Sequence, residues 1–450
     1  MSTLSQIGFS GIRAAQIALN TTGQNVANVN TPGYSRLVPE LRTVVGQGGG
    51  VEVSGIRRVY SDFQNQQLWR ATTELGYFSS RQQYLTALEG LVDSDGANIS
   101  AGLDNFFAAV SEVSASPRSI SLRQQVLDEA RQLALRFNGL ASNIDTQLQS
   151  LHGQRSAVVE EINGLIANIG ELNARIIEME ATDRDSGTLR DYRDNLVKEL
   201  SKHADVRTQE MADGSLSVSL ANGQPLVVRS TSARLVVSGT ATGEQALSLK
   251  FAEASFPLGQ VKLGGTLGAL HDSEYGALRP ALADLRNMAE ALAQTVNAVL
   301  VDGYDLNGNP GQPLFVYDGS STSALLSVNP LSPEQLAFSS APGEVDNNDV
   351  LLRLLDVRLQ SVSIGGSTMP LNDAYASMLS WIASASRQNQ ADLDTATTVA
   401  NQAQAQRDSV SAVSLDEEAI NLMAYAEAYQ ANTKVVSTAR ELFDALLALF

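Results

Sequence analysis

The chain has no cysteine among its 450 residues. That excludes a disulfide scaffold, a thiolate metal site and a cysteine nucleophile. Histidine is almost as scarce: there are three, His152, His203 and His271, and none stands in a ligand pattern such as His-Glu-x-x-His. Aromatic residues make up 6%, with only two Trp. Positive charge is in short supply, Lys+Arg 31 against Asp+Glu 49, for a net charge of −18. A nucleic-acid binder needs a basic footprint, so this balance argues against that class. No run of about 20 apolar residues occurs, and no membrane span is expected. Met1 to Ser10 has neither a basic n-region nor a continuous apolar stretch, so no cleavable signal peptide is expected. Such a chain either stays in the cytosol or leaves by a route that needs no such signal.

Apolar residues reach 43%, enough to bury a core, and the length alone suggests about three domains. The strongest pattern is a hydrophobic period. Steps of 3 and 4 from Leu127 meet Ala130, Ala134, Phe137, Ala141, Ile144, Leu148, Leu151, Arg155, Val158, Ile162, Leu165, Ile169, Leu172, Ile176 and Met179. Only Arg155 breaks the apolar run. The repeat predicts one long helix in a coiled-coil-like seam, about 80 Å long at 1.5 Å per residue. Weaker versions predict helices within 63–93 and 267–301, and one or two more within 375–410.

Two regions change period. Residues 204–265 alternate through Leu216, Val218 and Leu220, then Leu226 and Val228, Leu235 and Val237, and Leu247, Leu249 and Phe251. Asp213-Gly214 and Asn222-Gly223 stand between runs and favour hairpin turns. A small antiparallel β domain is expected there. Residues 303–370, rich in Pro, Gly, Ser and Asn, read as a loop-rich insertion with some short strands. The fold class is therefore α+β and mainly α: an elongated, discontinuous helical bundle or coiled-coil rod built from both chain ends. The expected division is 1–60 with 411–450 as a terminal helical assembly domain. Residues 61–203, 266–302 and 371–410 form the helical rod, 204–265 the β insertion and 303–370 the loop-rich insertion.

The two ends carry the candidate interaction residues. Leu4, Ile7, Gly11, Ala14 and Ala18 recur at helical spacing, and their small size permits close helix approach. The helix should stop near Asn28. Asn28 and Asn30 suit a helix end or an Asx-turn, and Pro32-Gly33, ahead of Tyr34, fits the middle of a type II turn. A bend at Gly46–Gly50 should lead into a short strand at Val51 and Val53. At the other end Ser414 and Glu417 read as a capping box. The stripe beyond it is Leu415, Ala419, Leu422, Ala426, Tyr429, Thr433, Val436, Phe443, Leu447 and Phe450. A stripe running to the last residue wants a partner. Residues 1–60 carry five Arg and two Glu, whereas 411–450 carry Lys434 and Arg440 against six acids. Opposite signs favour pairing of the ends. Such ends should order when neighbours cover them.

No catalytic, cofactor or metal residues are nominated. Asp305-x-Asn307-x-Asn309 starts like a calcium loop, but Pro310 stands where Gly is needed and Val316 where the bidentate Glu belongs. Asp183, Asp185 and Gly187 read as a break between helices. The triple glycine Gly48–Gly50 lacks the Lys and Ser/Thr of a phosphate loop.

The ends also carry a family resemblance. Asn25-Val-Ala-Asn-Val-Asn-Thr-Pro-Gly-Tyr-Ser-Arg36 resembles the N-terminal signature of bacterial flagellar rod, hook and hook-associated axial proteins. Leu415-Asp-Glu-Glu-Ala-Ile-Asn-Leu-Met-Ala-Tyr-Ala-Glu-Ala-Tyr-Gln-Ala-Asn432 resembles the matching C-terminal signature. Tyr34-Ser-Arg36, Arg190-Asp-Tyr-Arg-Asp-Asn-Leu-Val-Lys-Glu-Leu-Ser201, Gly264-Gly-Thr-Leu-Gly-Ala-Leu270 and Asp305-Leu-Asn-Gly-Asn-Pro-Gly311 resemble the hook-associated protein 1 branch, the first hook–filament junction proteins. The resemblance implies a non-enzymatic, extracellular structural part of the flagellum, exported unfolded through the flagellar type III apparatus. It implies a ring-like layer of copies at the distal hook end, with hook protein below and hook-associated protein 3 above. The paired terminal helices would line the inner tube and the middle domains would face outward. An export chaperone would bind the C-terminal region; neither nucleic acid nor membrane would be a partner. Two other readings stay open: another axial protein, such as hook-associated protein 3 or a hook protein, and a secreted enzyme on a helical stalk. A pocket in 204–370 with two close carboxylates and aromatics would revive the last.

Overall fold

A computed structural model describes the chain except for residues 1–2, 45–48, 95, 97, 183, 240–244, 260–261, 365 and 449–450, and the side chain at 446. The readings of Gly46, Gly48, Asp183 and Phe450 therefore lie outside the described residues.

The chain opens with α1 (Thr3–Ala27), then β1 (Leu37–Thr43) and β2 (Val51–Arg58). Four helices follow: α2 (Asp62–Val92), α3 (Ile99–Ser114), α4 (Ile120–Glu180) and α5 (Gly187–His203). Seven strands come next: β3 (Val206–Glu210), β4 (Leu216–Leu220), β5 (Pro225–Val228), β6 (Thr231–Ser232), β7 (Arg234–Gly239), β8 (Gln245–Phe251) and β9 (Ala254–Pro257). Helix α6 (Gly265–Ser273) runs through a π-turn (Glu274–Leu278) into α7 (Arg279–Val301). Then come β10 (Phe315–Tyr317), β11 (Leu326–Val328), α8 (Asp349–Val357), β12 (Val362–Ile364) and β13 (Ser367–Met369). The chain closes with α9 (Leu371–Ser411) and α10 (Leu415–Leu447). The fold is mainly α with small, separate antiparallel sheets.

Helix α4 confirms the long apolar repeat. It runs for 61 residues, about 90 Å at the α-helical rise. Of the residues on the repeat, only Leu165 and Met179 remain half-buried; the rest are buried. Arg155 is buried too, at 4% exposure, and its partner explains why. Its Nη2 donates to Glu274 Oε2 at 2.6 Å. Glu274 is fully buried at the start of the π-turn and also accepts from Arg279 at 2.6 Å. His152 Nε2 lies 3.1 Å from Glu274 Oε1, the oxygen that Arg279 also reaches. Burial pushes the Glu274 carboxyl up, but the bonds from His152, Arg155 and Arg279 outweigh it and hold the group below its ordinary value. The extra residue of a π-turn re-aims a helix face; here it meets the one charged position of the α4 seam.

The residues fall into two compact units. One comprises Met1–Tyr77, Val158–Gly265 and Thr395–Phe450. Its interior includes Leu68, Ala71 and Leu75 of α2 against Ala400 and Ala403 of α9. The other comprises Phe78–Ala157 and Thr266–Asp394. There Phe106 of α3 packs on Phe315 of β10, with ring centroids 5.8 Å apart. Buried Arg123 donates to the Pro117, Pro333 and Leu336 carbonyls and lies over the Phe338 ring.

Several elements differ from the sequence reading. Residues 204–265 hold two sheets, ordered β3-β4-β5-β6 and β7-β8-β9. Alternation identifies strands but not which sheet each joins. In β5 the buried pair is Leu226 and Val227, not Leu226 and Val228, because a register shift at Val218/Ser219 accompanies its pairing with β4. Helix α8 lies inside the stretch read as loops and strands. Its Val350, Leu351, Leu354 and Val357 form a helical stripe only nine residues long, framed by Asn and Gly. The expected helix at 267–301 carries the π-turn, and the pattern at 375–410 is one continuous helix, α9.

Candidate functional site

Sequence spacing nominated both chain ends, and the structure brings them together. Helix α1 buries a stripe of mainly small residues: Gly8, Gly11, Ala14, Ala15, Ala18, Thr21, Thr22 and Asn25. The stripe lies antiparallel along α10, with Gly8 facing Val436 and Gly11 facing Asn432. A Cβ at Gly11 would run into the Asn432 carboxamide, so the small face sets the close approach. The side of α10 turned inward reads Glu418, Asn421, Tyr425, Ala428, Asn432, Val435 and Ala439. These follow steps of 3 and 4 and are mostly small or polar.

Most of the apolar stripe read from the sequence lies on another face of α10, although Val436 sits against Gly8 of α1. Leu415, Ala419, Leu422, Tyr429, Phe443 and Leu447 are exposed, and Ala426 and Val436 are half-buried. Phe443 keeps 52% of its surface and Leu447 59%. Ile420, Met423 and Leu442 are exposed as well. On α1, Gly11, Ala14 and Ala18 are buried, whereas Leu4, Ile7 and Phe9 are exposed. Single exposed apolar residues need no explanation, but so many on one pair of helices do.

The loop after α1 ties this pair down. Helix α1 ends at Ala27, one residue before the expected stop at Asn28. Asn28 is half-buried, Asn30 and Pro32 are exposed, and Gly33 and Tyr34 are half-buried. Gly33 has φ +78°, and the Tyr34 amide donates to the Thr31 carbonyl at 3.2 Å, as a type II turn requires. The turn is held by Arg407 of α9, whose Nη2 donates to the Gly33 carbonyl at 2.7 Å. Asn195 of α5 donates to the Pro32 carbonyl at 3.1 Å, and the Ser35 amide donates to Asp191 at 2.9 Å. The Tyr34 hydroxyl donates to Asn25 at 3.0 Å. Burial, with Asp191, Glu418 and Asp185 nearby, pushes that hydroxyl up to about 12, so it stays a donor at neutral pH.

Charge completes the joint. Arg36 pairs with Glu418 at 2.9 Å and with Glu417, and its amide donates to the Ser411 carbonyl. Glu417 thus turns to Arg36, and the Ser414 hydroxyl sits 3.5 Å from the Glu417 amide, a loose version of the expected cap. Arg58 of β2 bridges Asp191 and Asp194 at 2.9 and 2.8 Å. Burial raises the Asp194 carboxyl while Arg58 opposes the rise. Asp191, Asp194 and Arg407 were not nominated from spacing, although Asp191 and Asp194 lie in the 190–201 run that carried the resemblance. A cleft of about 690 Å³ opens beside the loop, lined in part by Trp69, Asn195, Lys198 and Gln404. Lys198 already donates to Gln404 at 2.8 Å. Among the described residues no cluster of His, Asp or Glu could hold a metal ion. What the arrangement can do is mechanical: fix a pair of helices and present their apolar sides.

Known proteins share this pattern. The family described as flagellar hook-associated protein FlgK helical domain matches residues 85–315, just over half of the chain. The flagella basal body rod protein family matches residues 6–34, and the flagellar basal body rod FlgEFG protein C-terminal family matches 404–449. The chain is 25% identical to flagellar hook-associated protein 1 of Salmonella typhimurium, over 99% of this chain and all of that one. It is 25% identical to flagellar hook-associated protein 1 of Bacillus subtilis, over 97% and 96%. Its fold is similar to that of the flagellar hook junction protein FlgK from Burkholderia pseudomallei, with a TM-score of 0.69 at 18% identity, covering 76% of this chain and 99% of that one.

Proposed function

The chain belongs to the flagellar hook-associated protein FlgK family, and from that premise we propose that it assembles at the distal end of the hook and joins hook to filament. As a family member it is a structural component of the bacterial flagellum, working among other flagellar axial components. No helix among the described residues is long and apolar enough to cross a membrane. In our reading it is non-catalytic and extracellular, exported unfolded by the flagellar route with an export chaperone on its C-terminal region. Its neighbours are further copies of itself in a ring-like layer, hook protein on one side and hook-associated protein 3 on the other. Residues 1–60 and 411–450 act as the assembly domain, and the other regions keep the roles expected above.

One observation carries this reading. The stripe Leu415, Leu422, Tyr429, Phe443 and Leu447 is apolar and exposed while the opposite side of α10 is occupied by α1. Covering such a stripe with neighbours stabilises by roughly 25 cal/mol per Å² of apolar surface removed from water. Ordered assembly then supplies what the isolated chain lacks. Deletion of residues 415–450 is the test. The truncated protein should remain soluble and folded, fail to appear at hook tips, and leave hooks without filaments in negative-stain images. Normal incorporation and motility of the truncation would overturn the reading.

A further inference from the structure

Five helix-borne asparagines make the same unusual contact. Each grips one strand residue by both its main-chain groups, the carboxamide oxygen accepting from the N–H and the carboxamide nitrogen donating to the C=O. Asn163 holds Leu235 at 2.7 and 2.9 Å. Asn173 holds Leu216 at 3.0 and 2.8 Å. Asn138 holds Leu326 at 2.9 and 2.8 Å. Asn297 holds Phe315 at 2.9 and 2.7 Å and takes the Leu314 amide as well. Asn25 holds Leu37 at 2.9 and 2.8 Å. Asparagine is a poor helix former because its side chain competes for nearby backbone groups. Five of them on helices, each turned to a strand, call for a reason.

The strand positions supply it, because each contact falls where a ladder has ended. β7 is an edge strand, paired on one side with β8, and Asn163 takes its other side at Leu235. β10 and β11 form a sheet of two, and Asn297 and Asn138 occupy its two outer edges. β1 pairs only with β2, and Asn25 takes its open side. Asn173 is the most telling. The β4–β5 ladder contains Val218↔Val227, so the next rung would join Leu216 to Arg229. At Arg229 the backbone turns to φ +54° and leaves the ladder. The Asn173 carboxamide fills the missing rung, bonding Leu216 on one side and the Arg229 carbonyl at 2.7 Å on the other.

We propose that these asparagines are mounting clasps: four close the open edge of a small sheet, Asn173 fills a missing rung inside one, and each fixes the register of its strand on a helix. Open edges invite pairing with other chains, and short strands slip easily. A carboxamide presents the same donor and acceptor pair as a neighbouring strand, but from a rigid helix. The clasp touches only main-chain atoms, so it dictates where a strand sits and leaves its side chain free to pack. Three of the clasps, Asn138, Asn163 and Asn173, stand on α4, so one helix seats one strand from each of three sheets.

Residue-resolved amide exchange of the full chain tests this. In Asn163→Leu the Leu235 amide should lose about tenfold or more of its protection, the loss expected for one hydrogen bond. The Leu216 and Leu326 amides should keep theirs. Asn138→Leu should do the reverse, exposing Leu326 alone. Should Asn163→Leu not fold, Asn163→Ala serves, since it removes both the acceptor for the Leu235 amide and the donor to its carbonyl without adding bulk. Unchanged protection at Leu235 would overturn the proposal. So would an equal fall across all three sheets, which would mark the asparagine as a general stabiliser and not a clasp.

Discussion

Helices α4 and α10 carry the same apolar spacing and meet opposite fates. In α4 nearly every residue on the repeat is buried within the chain. In α10 most of the apolar stripe stays exposed, and a second stripe of mainly small and polar residues, Glu418, Asn421, Tyr425, Ala428, Asn432, Val435 and Ala439, turns inward, with Asn432 and Val435 against α1. Periodicity says that a face wants cover; it does not say which molecule supplies it. The composition of the rest of each helix does. Around α4 the residues off the repeat also bury apolar groups, such as Val126, Leu133, Leu140 and Ile166. The face of α10 that meets α1 can be small and polar because α1 itself offers Gly and Ala. The large apolar groups of α10 then stay exposed, which is the surface we propose neighbours cover.

The largest expected effect separates the two helices directly. Phe137 is fully buried on the α4 repeat. Phe137→Ala should cost about 3–5 kcal/mol in the isolated protein, from lost transfer energy and a residual cavity. Phe443→Ala on α10 should change the stability of the same monomer by less than about 0.5 kcal/mol, yet impair incorporation at hook tips. Denaturant unfolding of both monomers beside an incorporation assay measures the contrast. Equal destabilisation would mean that the α10 stripe is covered within the chain after all.

A slightly smaller effect sharpens the comparison at the one charged position of the α4 seam. Arg155→Met leaves Glu274 buried with a partner gone and should cost about 3 kcal/mol at neutral pH, whereas the double change Arg155→Met with Glu274→Met should recover most of that loss. The pH dependence follows from the lowered Glu274 carboxyl. A depressed folded value means that its contribution is present above the unfolded carboxylate range, near about 4.3, and is lost as pH falls through the lower folded value. Urea midpoints between neutral pH and the acid limb should therefore fall less steeply in the double variant than in the native chain.

Much of this fold is legible in the residues alone. The length of α4, the stop of α1 beside Asn28, the turn at Pro32-Gly33 and the hairpin turns at Asp213-Gly214 and Asn222-Gly223 follow from local rules of spacing and backbone freedom. The rest depends on partners remote in sequence. Nothing near Arg155 announces Glu274, and nothing near Gly33 announces Arg407 or Asn195. The side of α10 that meets α1 is hidden because Asn421 and Asn432 look like surface residues until the glycines of α1 are laid against them. Strand β1 escapes a reading by pattern because Pro39 and its charged neighbours mask a hairpin held from elsewhere, by Asn25 of α1 on Leu37 and by Asp191 and Asp194 of α5 on Arg58. The asparagine contacts are invisible for the same reason, since a mid-helix Asn carries no hint in its own neighbourhood of the strand it holds.

The smallest expected effect lies at the joint that positions the exposed stripe. Gly33 is bound by two separate constraints. Its φ of +78° is costly for any residue with a Cβ, and that Cβ would collide with the Asn195 carboxamide. Gly33→Ala should therefore cost about 1–3 kcal/mol, the sum of roughly 1–2 kcal/mol of left-handed backbone strain and the displacement of Asn195 from the Pro32 carbonyl. The two parts separate in a double variant. Asn195→Ala alone loses the one hydrogen bond. In Gly33→Ala with Asn195→Ala the collision is gone and only the strain and that bond remain lost, so the combined cost should be less than the sum of the single changes. Strict additivity in urea unfolding would show that the side chain yields freely and that backbone conformation alone dictates glycine. Either way the loss should stay local to the joint of α1 with α5 and α9, because the exposed stripe of α10 takes no part in it. Amide protection in α4 between Leu127 and Ile144 should then be unchanged, which would place the anchoring of the chain ends and the stability of the long helix under separate control.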